Sequence, residues 1–217
     1  MTMRLRSDDF SDMQAIPDAC AFGKPGPDGE PCVWADNRNP HLAWSDAPAQ
    51  TRSFVLLCID GDVPTRADDV KQPGRSVPAD LARADFVHWL MVDIPAECGE
   101  LAQGSCGEGV IAHGKRSPVG PPGSRQGLND YTGWFAGDAD MAGDYLGYDG
   151  PCPPWNDERV HRYRFELHAL DLPRLDLPEQ FALADVRAAM HDQVIASATL
   201  TGTFTLNTAL RRKDHNP

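Results

Sequence analysis

One stretch of the sequence, residues 149–163, constrains the fold more than any other. It carries prolines at positions 151, 153 and 154. Because each proline ring fixes φ near −65° and removes a backbone donor, these residues form a rigid loop and not a central strand. From His161 to Ala169 mostly apolar residues alternate with charged ones, which is the period of a half-buried strand. The alternation turns His161 and Tyr163 toward the core, so the stretch predicts the rim of a pocket.

The same kinds of residue pattern predict three more strands and one helix. A continuous apolar run at 53–59 predicts a central strand buried on both faces, and it ends in Asp60-Gly61-Asp62. In the predicted strand 86–94, His88 shares the alternation of Leu90, Val92 and Ile94, so it is expected on their face. Strands are also predicted over 159–170 and 194–206, the latter with Thr199, Thr201, Thr203 and Thr205 facing outward. Helical spacing of Leu183, Val186 and Met190 predicts a helix that starts at Pro178-Glu179.

The chain length and the distribution of glycine and proline indicate the fold class. The chain has 217 residues, and its 19 glycines and 19 prolines are scattered between short apolar runs, as in proteins with many strands and turns. We therefore expect a single all-β domain, an antiparallel β-sandwich with one or two short peripheral helices. Its core is expected over 37–206, preceded by a loop segment over 1–36 and followed by a solvated tail over 207–217.

Charge and cysteine usage exclude several functions. A net charge of −12 provides no electrostatic footprint for nucleic acid. The first residues contain no apolar signal segment, and no run of about 18 apolar residues follows, so a cytoplasmic protein without a membrane span is expected. The six cysteines form no CxxC pair, which predicts free thiols in a reducing compartment; a Cys20–Cys32 bridge is the minor alternative.

Four sequence blocks in register resemble the phosphatidylethanolamine-binding protein (PEBP) family, also called Raf kinase inhibitor-like proteins, and in particular its bacterial branch. They are Gly-Pro-Cys-Pro-Pro at 150–154 followed by His161-Arg162-Tyr163, Asn-Pro-His-Leu-Ala-Trp at 39–44, Asp-Gly-Asp-Val-Pro at 60–64, and His-Trp-Leu at 88–90. The resemblance covers roughly residues 37–206. The resemblance implies a PEBP-like fold and an anion pocket of the type conserved in the family. Because bacterial relatives can be dimers, it also allows a homodimer.

The same residues define a candidate ligand site. A lone histidine on an apolar face is usually an ordinary core residue, but here two stand at the beginnings of two strands, and the resemblance places both in one pocket. Histidine N–H groups, the Tyr163 hydroxyl and loop amides can donate hydrogen bonds to phosphate oxygens, with Asp60 orienting a histidine. Affinity for a phosphomonoester is then expected to rise as the pH falls through about 6.5. The predicted ligand-binding residues are Asp60, Asp62, His88, Gly150, Pro151, Cys152, Pro153, His161 and Tyr163.

No cofactor and no catalytic motif is predicted. The sequence lacks the G-x-S-x-G, H-E-x-x-H, Walker and dinucleotide signatures. Asp60, His88 and His161 are residue types that bind zinc, but the resemblance matches them to positions that hold an anion without metal. The function expected is non-enzymatic binding of a phosphate-bearing small molecule or phosphorylated group. Two alternatives stay open: a protein that inhibits a kinase or a hydrolase through its pocket loops, and a cryptic hydrolase with His161 as base.

The sequence leaves two interpretations open for each of two long segments. Residues 65–85 are polar and too long for a tight hairpin, and they predict a lid or a surface excursion. Residues 132–148 interrupt the usual family spacing and contain five large apolar or aromatic residues, among them Trp134, Phe135 and Tyr145. These side chains either cover the pocket or a partner surface, or they pack on one another in an Ω-loop.

Overall fold

The computed structural model describes residues 2–211, and within them the chain is mainly β. The part of the expected tail at 212–217 lies outside the described residues. The strands are β1 Arg4–Arg6, β2 Gly23–Lys24, β3 Val33–Trp34, β4 Leu42–Ser45, β5 Ser53–Pro64, β6 Arg83–Pro95, β7 Glu100–Leu101, β8 Arg125–Gln126, β9 His161–Leu170 and β10 Val194–Phe204. The helices are α1 Tyr131–Trp134, α2 Leu183–Met190 and α3 Thr208–Arg211, with 3₁₀ turns at Asp18–Cys20 and Pro27–Gly29.

The strands form a sandwich around one long sheet. This sheet has five antiparallel strands in the order β10-β9-β5-β6-β8, a second sheet has the order β1-β4-β7, and β2 pairs with β3 in a short ribbon. Side chains from one face of the long sheet, such as Phe54, pack with Trp44 and other residues of the second sheet. Its opposite face, including Val55 and Leu57, packs on α2. The mainly β fold expected from the sequence is confirmed.

The central strands are longer than the apolar runs that predicted them. β5 continues past the predicted end at Ile59 to Pro64, and β6 begins at Arg83, because a bulge between Asp60 and Val63 lets pairing resume after Gly61. β9 begins at His161, two residues later than predicted, and β10 ends at Phe204, two residues earlier.

His88 does not share the face of Leu90 and Val92, although its alternation predicted that it would. Its neighbour Trp89 pairs with Cys58, but Val87 already pairs with Ile59, so a β-bulge leaves His88 between two ladder pairs. Leu90 therefore belongs to the core beneath α2, whereas the His88 ring lies 5.1 Å from that of Tyr163 on the other face. A single extra residue thus reverses the strand alternation at the position that matters most for the site.

Three smaller expectations also change. Helix α2 begins at Leu183 and not at Pro178-Glu179, because the carbonyl of Phe181 accepts the amide of Leu128 and its ring packs in the core. Thr205, expected to face outward, is buried beyond the end of β10. The 1–36 segment contains three strands, and its residues Met3, Leu5, Phe10 and Ile16 join the core.

Candidate functional site

A pocket opens where the end of β5 meets the beginnings of β6 and β9. Because both neighbours run antiparallel to β5, their first residues lie beside its last ones, and Asp60 pairs with Phe86 on one side and Tyr163 on the other. The pocket encloses a cavity of about 100 Å³. A cavity of this size has room for a small polar group.

His161 on the pocket floor is held by two carboxylates. Its Nδ1 lies 2.7 Å from Oδ2 of Asp60, and its Nε2 lies 3.1 Å from Oδ2 of Asp157. Burial alone would lower the pKa of His161, but the charge of Asp60 and hydrogen bonds to both carboxylates raise it to about 9. His161 is therefore an imidazolium at neutral pH, and both of its N–H groups are already used.

A buried arginine completes this network. Arg83 binds Asp157 with two nitrogens, at 2.6 and 3.0 Å, and its side chain is only 5% exposed. Burial raises the pKa of Asp157, but hydrogen bonds from His161 and Arg83 outweigh burial and lower it overall. Two acids, Asp60 and Asp157, thus face two cations, His161 and Arg83, so the floor behind the pocket is charge-balanced.

Two polar groups at the floor differ from His161 because they keep hydrogen-bonding capacity for a ligand. The Tyr163 hydroxyl is buried and makes no hydrogen bond of normal geometry among the described residues, although burial and the nearby Asp60 carboxylate raise the pKa of Tyr163 well above its ordinary value. His88 Nδ1 lies 2.7 Å from the carbonyl of Asp149, which only accepts, so Nδ1 carries the proton. Burial lowers the pKa of His88, against the charge of Asp60, so neutral His88 presents the Nε2 lone pair as an acceptor.

The walls are aromatic and apolar, and one lysine lies at the mouth. Trp34 and Trp134 line the pocket while remaining 56% and 47% exposed. The Lys71 ammonium lies 5.4 Å from the centre of the Trp134 ring, an arrangement that favours a cation above the ring. The other wall residues are Phe22, Val63, Pro64, Ala67, Val70, Phe86, Tyr131, Phe135, Cys152, Pro153 and Pro154.

The long segments contribute these walls because specific contacts hold them in place. The Asn156 side chain donates to the carbonyls of Asp69 and Arg75, and its Oδ1 accepts the Lys71 amide at 3.0 Å. This fixes the part of 65–85 that contains Lys71 over the pocket. In 132–148, Trp134 and Phe135 line the pocket while Tyr145 packs behind Phe135, with ring centres 5.3 Å apart. The segment therefore both covers the pocket and packs on itself.

The structure brings six of the nine predicted ligand-binding residues into the pocket lining: Asp60, His88, Cys152, Pro153, His161 and Tyr163. The other three, Asp62, Gly150 and Pro151, lie outside the lining because their polar groups are taken up by the protein. The carboxylate of Asp62 binds Arg159 and Arg162, and although burial raises its pKa, those hydrogen bonds lower it to about 2. The Gly150 amide donates to Asn37, and the Pro151 carbonyl accepts the amides of Phe22 and Gly23.

The residues of the pocket walls were harder to predict from the sequence than those of the pocket floor. Phe22 lies in the expected loop segment over 1–36, and Phe22, Trp34 and Lys71 belong to no recognisable motif. Phe22 and Trp34 reach the pocket because the β2–β3 ribbon docks on the 149–154 loop. No local sequence pattern indicates that contact. Within residues 2–211 no group of three histidine, cysteine or acidic side chains is placed to hold a metal ion. In the same residues no helix is long and apolar enough to cross a membrane.

The fold and the site define a mainly β protein with a small aromatic-walled pocket at one end of its central strands. The sequence profile of the phosphatidylethanolamine-binding protein family matches residues 6–205. This chain belongs to that family, which supports a role as a binding protein, and the resemblance noted from the sequence is confirmed.

Relatives with similar sequences are bacterial and archaeal. The UPF0098 protein YbhB of Escherichia coli K12 is 34% identical over 202 residues, which cover 93% of this chain and 99% of YbhB. A UPF0098 protein of Methanothermobacter thermautotrophicus is 30% identical over 93% of this chain and 98% of its own length. The crystal structure of CT736, a PEBP homologue of Chlamydia trachomatis, has a TM-score of 0.62 and 26% identity, covering 94% of this chain and 97% of that one.

Proposed function

We propose that the protein is a non-enzymatic binding protein whose pocket holds the phosphate group of a small phosphomonoester. The observation that carries this proposal is the Tyr163 hydroxyl, which is buried at the pocket floor without a partner. Leaving a buried polar group unpaired costs about 1–3 kcal/mol, and a ligand oxygen would remove that cost. A cavity of about 100 Å³ has room for a phosphate group.

The proton on His88 narrows the choice of ligand. Because its Nδ1 proton is committed to the Asp149 carbonyl, neutral His88 can only accept at Nε2, so it binds a ligand that carries a donor. A phosphomonoester monoanion has a P–OH group and satisfies both His88 and Tyr163. A dianion would require protonated His88 instead. In both cases the complex contains one proton more than the free phosphomonoester dianion and neutral His88, which are the forms present at high pH.

The pH dependence of binding follows from this proton. We expect phenyl phosphate to bind more tightly as the pH falls, by roughly tenfold or more from pH 7.5 to 5.5, because phosphomonoesters take up their second proton near pH 6. His161 does not contribute, since it stays charged throughout this range. Isothermal titration calorimetry measures the effect, with methyl phenyl phosphate, a diester without a P–OH group, as the matched control. Equal affinities for the two esters at pH 5.5 would contradict the assignment of His88.

A substitution at Tyr163 separates binding from stability. We expect Tyr163→Phe to weaken phenyl phosphate binding about 10- to 100-fold, the value of one hydrogen bond to a charged group. We expect it to keep or raise the free energy of unfolding, because it removes a buried hydroxyl that makes no hydrogen bond of normal geometry. Tyr148→Phe is the matched control. Its hydroxyl is also buried but donates to the Cys20 carbonyl at 2.6 Å, so that variant should lose stability and keep its affinity. The reverse pattern would exclude Tyr163 as the ligand contact.

The hydrolase alternative is disfavoured by the state of His161. A general base needs a free lone pair, whereas both nitrogens of His161 face carboxylates and its pKa is raised to about 9. We expect no phenol release from phenyl phosphate at pH 7. Turnover that disappears in His161→Ala would instead support the hydrolase.

A protein partner remains the second candidate, because Trp34 and Trp134 are exposed beside the pocket mouth, and such aromatic residues often dominate protein interfaces. Trp34→Ala distinguishes the two functions. Weaker binding of phenyl phosphate would assign the ring to the ligand wall, and unchanged binding would leave it free for a partner. We further propose that the protein works in the cytoplasm, where its six free cysteines stay reduced.

A further inference from the structure

Two cysteines that play no part in the proposed ligand chemistry lie side by side, and one of them, Cys152, belongs to the pocket wall. The Sγ atoms of Cys32 and Cys152 are 3.9 Å apart although 120 positions separate the two residues in the chain. Both side chains are half-buried, and Cys152 lines the pocket. The minor alternative of a Cys20–Cys32 bridge is not found, since all six cysteines are free, and the sulfur beside Cys32 belongs to Cys152.

The backbone is arranged so that these two thiols meet. The amides of Phe22 and Gly23 donate to the carbonyl of Pro151 at 2.9 and 3.2 Å, which docks the β2–β3 ribbon on the proline-rich loop. A Cβ atom at position 23 would lie 2.7 Å from the sulfur of Cys32 and 2.8 Å from that of Cys152. The two sulfurs therefore fill the space that any side chain at Gly23 would need.

The two thiols have different chemical characters. The hydrogen bond from Cys152 lowers the pKa of Cys32 to about 7, against burial, with the charge of Lys71 lowering it further and that of Glu30 opposing. The same hydrogen bond and burial raise the pKa of Cys152 well above its ordinary value. Burial also raises the pKa of half-buried Cys98. Cys32 is therefore the nucleophile of the pair, because thiolates and not thiols attack peroxides.

We propose that Cys32 and Cys152 form a redox-active dithiol that reduces hydroperoxides and closes to a disulfide. The Cys32 thiolate attacks the terminal peroxide oxygen; an S–O bond forms, the O–O bond breaks, the departing alkoxide or hydroxide takes a proton from solvent and leaves as an alcohol or water, and Cys32 becomes a sulfenic acid. The Cys152 sulfur then attacks the Cys32 sulfur; an S–S bond forms, the S–O bond breaks, and water leaves with the Cys152 proton. The sulfurs must close from 3.9 Å to about 2 Å. This chemistry does not depend on the ligand proposed for the pocket.

Hydrogen peroxide with the reduced full-length protein tests the proposal. We expect the wild type to lose two of its six thiols and to yield, after proteolysis, one cross-linked peptide pair that contains Cys32 and Cys152. Cys152→Ser should stop at the sulfenic acid, which dimedone traps on Cys32, and Cys32→Ser should keep all five remaining thiols. Cys98→Ser is the matched control and should lose two thiols like the wild type.

A second measurement needs no variant. On native wild type at pH 7, iodoacetamide should modify Cys32 about fivefold faster than Cys98, because the gain in thiolate outweighs the lower nucleophilicity of a low-pKa thiol. Mass spectrometry of the digested protein gives both rates. Faster modification of Cys98, peroxide oxidation spread over the other cysteines, or sulfinic acid on Cys32 without a disulfide would each overturn the proposal.

Discussion

Asp157→Ala should destabilise the protein by about 3–5 kcal/mol, the cost of breaking a buried ion pair by removing one partner. Asp157 is completely buried and accepts hydrogen bonds from Arg83 and from His161. Removing its carboxylate leaves two buried cations facing Asp60 alone. Chemical denaturation at pH 7 measures the loss as a lower midpoint at an unchanged slope.

The control for this variant is an ion pair at the surface. Glu108 binds Arg38 at 2.8 Å, with the two side chains 58% and 41% exposed, and such pairs contribute at most about 1 kcal/mol. Glu108→Ala should therefore leave stability nearly unchanged. If both variants lost the same small amount, the network behind the pocket would not be the stabilising feature that its burial indicates.

The charge on His161 should make stability depend on pH. Its folded-state pKa of about 9 lies above the ordinary 6.5, so its contribution is fully present below pH 6.5 and is lost as the pH rises through about 9. A shift of that size corresponds to roughly 3 kcal/mol. We expect the wild type to lose that much of its stability advantage over His161→Asn between pH 6 and about pH 9.5.

The stabilities of wild type and His161→Asn must be compared at each pH, because Cys32 titrates in the same pH range and changes stability in the opposite direction. Its pKa is lowered to about 7, so it adds stability as the pH rises, and this contribution cancels in the difference between wild type and His161→Asn. A variant of the exposed His191, such as His191→Gln, should show the wild-type dependence. A constant difference between wild type and His161→Asn from pH 6 to 9.5 would mean that folding leaves the pKa of His161 unshifted, against the charged state described above.

Much of the fold could be predicted because strand alternation and turn residues are local signals. The β5 and β9 segments were found from their apolar periods, and the alternation of His161 and Tyr163 holds in the structure. His88 shows the limit of this reasoning, since a bulge is fixed by the partner strand and not by the residues around it. The predicted start of α2 was wrong for a similar reason, because Phe181 is held by a core contact with residues distant in the sequence.

The candidate site could be predicted at its floor but not in its electrostatics. Asp60, His88, His161 and Tyr163 were expected to converge, and they lie together. The sequence could not show that Asp157 takes the second nitrogen of His161, which removes that histidine as a donor for an anion. The expected rise of affinity toward low pH therefore keeps its sign but changes its cause, from titration of two histidines to a single proton shared by the ligand and His88.

Tyr163 and His88 are proposed to bind a phosphate group at the pocket floor. The crystal structure of the protein with phenyl phosphate at pH 5.5 tests this most directly. We expect phosphate oxygens within hydrogen-bond distance of the Tyr163 hydroxyl and of His88 Nε2, with the phenyl ring against Trp34 or Trp134 and His161 still between its two carboxylates. Phenyl phosphate bound elsewhere, or in the pocket with its phosphate directed away from Tyr163, would contradict the account.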